Sequence, residues 1–334
     1  MAVKGNTYLT LADVYKRSDK DKMVATIIEM LAETNEILQD MIVDECNNGT
    51  KHKTTVRTGL PSATWGRLYK GVQPSKSTTK QVEDTTGYVE ALSEVDKKLV
   101  ELSKDPKGLR LSEASAFLEA LNQEMAETLW YGDTAVDPDK FMGFAPRFND
   151  LNAESGKQIV DAGGTGSDNT SIYIVVWGKR TVHGLYPENV KAGIDREDYG
   201  EESKTMEDSS ILRVLREKFT WHNGLSVRDY RYVVRIANID VSDLSEDGTT
   251  GANLFRLMVK AYWKLQQRKV TGGKAAIYAN STILEYLDHQ SREANNKVHL
   301  HWQEAGPDSE PVLHFRKIPV RECDAILNTE ARVV

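Results

Sequence analysis

The residues with the means to do chemistry in this 334-residue chain are few and widely spaced. His299 and His301 alternate with Val298, Leu300 and Trp302, so an extended backbone would set both imidazoles on one face of a strand. Two imidazoles on one face are the beginning of a zinc site, and Glu304 and His314 could approach them in space. No Cys or carboxylate stands beside them at a metal-site spacing, so the pair reads as a polar strand face and no metal is expected. Gly163-Gly-Thr-Gly166 has the glycines of a phosphate-cradling loop, but a strand follows it where a dinucleotide site needs a helix. Thr271-Gly-Gly-Lys274 lacks the Ser or Thr after lysine that would hold magnesium. Both read as turns. The acidic run 197–208 has no apolar pocket to shift a carboxyl pKa and reads as a solvated loop or hairpin tip. No G-x-S-x-G elbow is present. Scattered Asp, Glu and His leave a soluble hydrolase as a minor alternative, with no catalytic or cofactor-binding residue to assign and no cofactor expected.

Composition narrows the classes further. The chain is 40% hydrophobic and 28% charged, enough for one large or two moderate domains with a buried core. Mean hydropathy is −0.50 and no apolar run approaches the roughly 20 residues that span a bilayer, so no membrane partner is expected. Residues 1–10 lack the apolar core of a signal peptide. A net charge of −7 disfavours a dedicated duplex-DNA reader. Cys46 and Cys323 form no C-x-x-C pair, which fits a reducing compartment.

The elements that would position any site form a mixed α+β chain. Val24, Ile27, Ile28, Leu31, Leu38, Met41 and Ile42 recur at helical spacing and predict a helix over 19–45, either packed on its own domain or lying as an arm along a neighbour. Leu111, Ala114, Leu118, Leu121, Met125 and Leu129 predict a second helix over 111–131, stopped by Gly132. Irregular chain follows over 133–166. Residues 171–177 form an apolar strand covered on both faces, 209–219 are ambiguous between helix and strand, and 230–236 are strand-like. Helices are expected from Leu254 and, capped by Asn280-Ser281, through 294. Short strands are expected at 275–279, 298–302, 311–315 and 318–327.

Residues 50–102 are the unusual part. They open with Lys51-His-Lys-Thr-Thr-Val-Arg-Thr58, turn through Gly59-Leu-Pro61 and 70–76, and return through 77–90. Thr and Val favour extended backbone and the Gly and Pro positions mark turns, yet the apolar residues are too sparse to form a core. A two-stranded ribbon of this kind is marginal alone in water and becomes stable when another subunit covers it. The candidate inter-subunit contacts are therefore Val24, Ile28 and Leu31 on the first helix and Val56, Arg57, Leu60, Trp65, Lys70, Val72, Gln73, Pro74 and Lys76 on the ribbon.

At this point the chain resembles the major capsid proteins of tailed bacteriophages, those of short-tailed phages of the Bordetella phage type above all. The likeness rests on Thr54-Thr-Val-Arg-Thr-Gly-Leu-Pro61, Gly71-Val-Gln-Pro-Ser-Lys-Ser-Thr78, Leu111-Ser-Glu-Ala-Ser-Ala-Phe117, Asp168-Asn-Thr-Ser-Ile172 and Val182-His-Gly184. It continues through Leu225-Ser-Val-Arg-Asp229, Arg231-Tyr-Val-Val-Arg-Ile-Ala-Asn-Ile-Asp240 and Ile318-Pro-Val-Arg-Glu-Cys-Asp-Ala-Ile-Leu327. The resemblance implies a Hong Kong 97-type fold. Its N-terminal arm would be 1–50 and its extended loop 51–104. A peripheral domain with the spine helix 111–131 would occupy 105–245, with room for inserted axial-domain parts. The axial domain would be 246–315, and 316–334 the strand returning to the peripheral domain.

The function so implied is a non-enzymatic shell protein, assembled in the bacterial host cytoplasm and resident in the virion. It would pair with itself in hexamers and pentamers of an icosahedral head around double-stranded DNA, with scaffold, portal and decoration proteins as further partners. An encapsulin-like compartment is the alternative within the fold. Contact of Lys4, Lys16, Arg17, Lys20 and Lys22 with DNA would be weak and sequence-independent. The best-known member type cross-links subunits through Lys–Asn isopeptide bonds. Lys70, Lys76 and Lys80 lie near the turn here, but no motif identifies an Asn partner or a carboxylate catalyst, so cross-linking is not expected.

Overall fold

The computed structural model describes residues 33–103, 105–206, 209–246, 248, 251–265, 272–291, 300–303 and 312–334. Its centre is the strand Asn169–Trp177 (β5), buried at all nine positions. Strands alternate their side chains between faces, so β5 builds two cores at once. Tyr173, Val175 and Trp177 enter a cluster with Trp130, Phe144 and Tyr278, while Ile172, Ile174 and Val176 enter another with Leu254, Met258 and Ile283. Its neighbours Val233–Asp240 (β9) and Lys274–Ala279 (β10) run antiparallel to it and divide their side chains in the same way.

The first core is roofed by the helix Pro106–Tyr131 (α3), which follows two short ones, Ile37–Asp40 (α1) and Lys97–Leu102 (α2). At about 1.5 Å per residue its 26 residues make a beam of roughly 39 Å. It starts earlier than the apolar seam predicts, because Pro106 sits at the helix entrance and Asp105 accepts a hydrogen bond from the Gly108 N–H at 2.9 Å. Leu111, assigned to the seam from sequence, is 70% exposed, and Leu109 is buried instead. Gly132 ends the helix as expected, its N–H bonded to the Thr128 carbonyl. The second core is covered by Leu254–Lys264 (α5) and Ser281–Ser291 (α6), started by Asn253 and Asn280, which accept bonds from the Arg256 and Ile283 N–H groups. A single turn, Phe144–Arg147 (α4), lies between α3 and β5.

The remaining strands are Val43–Glu45 (β1), Lys51–Gly59 (β2), Thr78–Asp96 (β3), Ile159–Asp161 (β4), Val182–Tyr186 (β6), Ile194–Thr205 (β7), Ile211–Val227 (β8), Leu300–Gln303 (β11), Val312–Phe315 (β12) and Ile318–Glu322 (β13). The main path of the sheet runs β11-β12-β13-β10-β5-β6-β8-β3-β2.

Three sequence expectations are corrected. The helix over 19–45 does not extend through its C-terminal part: after α1 the chain becomes extended and β1 pairs in parallel with β6, Val43 opposite Gly184. Met41 is buried as the helical pattern required, whereas Leu38 and Ile42 are only half-buried and Ile37, outside that pattern, is fully buried; a single turn suffices for this, and the β-branched Ile42-Val43 then joins the sheet. Residues 19–32 of that helix lie outside the described residues. The acidic run is largely strand, with β7 paired to β8 along its length, and the ambiguous 209–219 belong mostly to β8. Finally, 50–102 do not all project. Residues 86–96 pair with 214–224 of β8, and α2 follows with Leu99 and Val100 buried.

One buried ion pair draws the distant parts of the chain together. Arg235 on β9 donates to Glu330 at 2.9 Å and to the Phe148 carbonyl at 2.7 Å. Glu330 also accepts from the Tyr131 hydroxyl at 2.6 Å and from Ser171 on β5. Both charged side chains are nearly inaccessible. Removing one partner strands the other charge, so Glu330→Ala is expected to lower subunit stability by about 3–5 kcal/mol in denaturant titration. The double variant Arg235→Met, Glu330→Leu is expected to lose less than that single change.

Candidate assembly interface

The ribbon of β2 and β3 is paired antiparallel from Lys51 opposite Thr85 to Gly59 opposite Thr78; His52, Thr54 and Asp84 at its base are buried, and the tip beyond Gly59 and Thr78 projects. Between 51 and 82 it carries seven Lys or Arg and no carboxylate, in a chain of net charge −7. The tip, 60–77, is held by few local bonds: the Ser75 hydroxyl donates to the Ser62 carbonyl at 3.0 Å, and the Lys70 N–H to the Arg67 carbonyl at 3.1 Å.

The structure places the sequence candidates as follows. Val24, Ile28 and Leu31 lie outside the described residues. Val56 is half-buried over a hollow of about 210 Å³ under the ribbon, shared with Val82, Phe148 and Tyr230. Arg57, Lys70, Gln73, Pro74 and Lys76 are exposed. Leu60 is 81%, Trp65 99% and Val72 62% exposed. Leu68 and Tyr69 are exposed as well and were missed from sequence, although they flank Lys70 at the tip. Isolated exposed apolar residues are ordinary, whereas here five large ones gather on one projecting tip.

Where the ribbon joins the body, sequence reasoning missed a buried polar cluster. His52 on β2 and His183 on β6 meet edge to face with ring centroids 5.5 Å apart. Arg228 lies 3.4 Å from the His52 Nε2, and Arg147 donates to Asp84 of β3 at 2.9 Å. Burial holds the His183 pKa down to about 4, helped by Arg228 and His52. Burial and Arg228 also lower that of His52. Both rings are thus neutral in the folded subunit near neutral pH.

The other chemistry sought in the sequence resolves into structure. Among the described residues no group of three or more His, Cys, Asp and Glu side chains is arranged to hold a metal ion. His299 and Glu304 lie outside the described residues, and His301 is opposite His314 in the β11–β12 register. The acidic residues of β7 are paired rather than merely solvated. Glu201 bonds Lys97 at 2.7 Å, Asp198 bonds Arg110 at 2.9 Å, and on the adjacent strands Arg216 holds Glu94 at 2.6 Å. Cys46 and Cys323 are free and buried.

A two-core α+β body with a long helix and an uncovered ribbon has the form of a shell-building subunit of the Hong Kong 97 type, and comparison with known proteins agrees. The family model "Major capsid protein GP7" matches residues 19–334. The structure of bacteriophage Epsilon15 is similar with a TM-score of 0.78 at 41% identity, covering 100% of this chain and 99% of that one. The capsid of bacteriophage JBD30 is similar at 11% identity and a TM-score of 0.49, covering 89% of this chain and 92% of that one. The SrpI encapsulin complex of Synechococcus elongatus is similar at 11% identity and a TM-score of 0.45, covering 69% and 96%. The last two are too distant to bear on the assignment. No curated protein matches. The chain belongs to the major capsid protein GP7 family. It is therefore a structural protein of the phage capsid that self-associates into capsomers, and the family match favours the phage reading over the encapsulin-like one.

The two neutral histidines give this subunit a pH dependence. The unfolded chain binds a proton at residue 183 near pH 6.5, whereas the folded chain does so only near pH 4. The unfolded state therefore holds more protons in that window, and stability falls as pH drops through it, by on the order of 3 kcal/mol at the lower end. Denaturant titrations of unassembled His183→Leu subunits are expected to show a correspondingly shallower loss between those pH values.

Proposed function

We propose that the ribbon, residues 51–85, is the arm by which each subunit grips its neighbours in an icosahedral head enclosing double-stranded DNA. The observation that carries this is the exposed tip: Trp65 and four further large apolar side chains project from the body with nothing over them among the described residues. Repeated in hexamers and pentamers, each contact needs to contribute only a few kcal/mol, since links in a closed shell are multivalent. On this reading 1–50 form the N-terminal arm, α3 is the spine of a peripheral domain that includes β3, β7 and β8, 246–315 form the axial domain, and 316–334 return to the peripheral domain.

Assembly would take place in the host cytoplasm with scaffold, portal and decoration proteins as partners. The net charge of −7 keeps the subunit from condensing on nucleic acid, so contact with the packaged genome is weak and non-specific. Deleting residues 70–76 is expected to leave a folded subunit with an unchanged circular dichroism spectrum and to abolish or misdirect shell formation in electron micrographs. Normal shells from that deletion would refute the role of the ribbon.

A further inference from the structure

The base of the ribbon presents one face to the body. The register sets His52 opposite Asp84, Thr54 opposite Val82 and Val56 opposite Lys80, and side chains two residues apart on a strand share a face. Closest to the body this face is polar and buried, at His52, Thr54 and Asp84. Further out, Val56 and Val82 cover the hollow of about 210 Å³, which is also lined by Phe148 after α4, Val227 at the end of β8, and Arg228.

The charges around this hollow do not cancel. Arg147 donates to Asp84 at 2.9 Å, and Asp229 accepts from Arg231 at 2.8 Å. Lys80 and Glu154 are both exposed and offset one another. Arg228 is left over. Among the described residues its side chain forms no ion pair: it meets only the Nε2 of the neutral His52 at 3.4 Å, and its own Nε is buried without a partner. A cation drawn out of water without an anion is costly, and the planar guanidinium fork matches a carboxylate.

The rest of the lining calls for something apolar. Val56, Val82, Phe148 and Val227 supply four apolar side chains. A dry cavity of roughly 150 Å³ holds benzene, so this hollow has room for a ring of that size and a carboxylate beside it. Other hollows among the described residues lack the combination. The one beside α3 carries Glu124, Asp137 and Asp139 against Lys140, which Glu124 already holds. The one between β4 and α5 has its Lys264 donating to the Ile159 carbonyl, with Asp161 alongside. The one at residues 178–181 is walled largely by glycine.

We infer that the hollow under the ribbon is a binding site for a small amphipathic carboxylate, its apolar part between Val56, Val82 and Phe148 and its carboxylate on Arg228. The site exists only while the base of the ribbon lies on the body, because the ribbon supplies Val56 and Val82. Ligand binding and ribbon seating are therefore linked: opening of the base is suppressed by the factor 1 + [L]/Kd, roughly tenfold at ten times Kd.

The test uses unassembled full-length subunits and benzoate, with benzamide as the uncharged isostere and inorganic phosphate as the charge without the ring. Calorimetric titration is expected to show saturable benzoate binding. Benzamide should bind about tenfold more weakly, since charge-assisted hydrogen bonds are roughly twice as strong as neutral ones, and phosphate more weakly still. Amide exchange over 54–58 and 79–82 should slow about tenfold at ten times the benzoate Kd, with that over β5 unchanged. Arg228→Met should abolish binding. Val56→Trp, which fills the hollow from the ribbon side and leaves Arg228 in place, should abolish it as well and covers an Arg228 variant that fails to fold. No saturable binding, benzamide or phosphate as tight as benzoate, or wild-type affinity in either folded variant would overturn the inference. Because every reading is taken on free subunits, its failure leaves the role of the ribbon in assembly to be decided by the deletion of 70–76.

Discussion

The architecture follows from one strand that has no solvent face. Every residue of β5 is buried, so each of its two apolar faces requires a covering layer. The C-terminal half of α3, with Met125, Ala126, Leu129 and Trp130 turned inward, covers one, and α5 and α6 cover the other. The Arg235–Glu330 pair then fixes the layers to one another, since Glu330 near the end of the chain bonds the last residue of α3, β5 and β9 at once. An ion pair so deeply buried adds little net stability by itself, but its loss would leave an unpaired charge in the core. It ties the C-terminal segment to one position.

With the apolar material committed to those two cores, little remains for the ribbon. Beyond residue 85, β3 is stitched to β8 and packs against α2 and α3. Before it, the ribbon is two strands and a tip whose large side chains meet water. Fixing backbone costs about 1–2 kcal/mol per residue, and an exposed indole returns none of it. The seven cations without a carboxylate over 51–82 add mutual repulsion. Sequence and fold thus agree on a segment with few stabilising contacts of its own, as the proposed inter-subunit role requires.

Much of this was legible in the sequence. The apolar run of β5, the Gly132 stop of α3, the Asn caps of α5 and α6 and the turn signals of the ribbon all act locally. What was not legible depends on pairing between distant segments. β7 has an almost wholly polar sequence, and its strand is defined by pairing with β8 and by carboxylates that meet Lys97 and Arg110. The helical pattern that ends at Ile42 predicts a helix through residue 45, but Val43–Glu45 are drawn into the sheet by β6. Of the assembly surface, the projecting tip was readable as sparse apolar residues among turns. The His52–His183 cluster was not, because it is assembled from β2, β6 and the segments carrying Arg147 and Arg228, far apart in the chain.

The central claim is that the ribbon is ordered by its neighbours and not by its own body. Amide hydrogen exchange, compared between unassembled subunits and particles, addresses it directly. Amides of 51–80 are expected to exchange fast in free subunits and to be strongly protected in particles, while those of α3 from Leu121 to Tyr131 stay protected in both. Equal protection of the ribbon in the two states would show that it packs on its own subunit and would contradict the account.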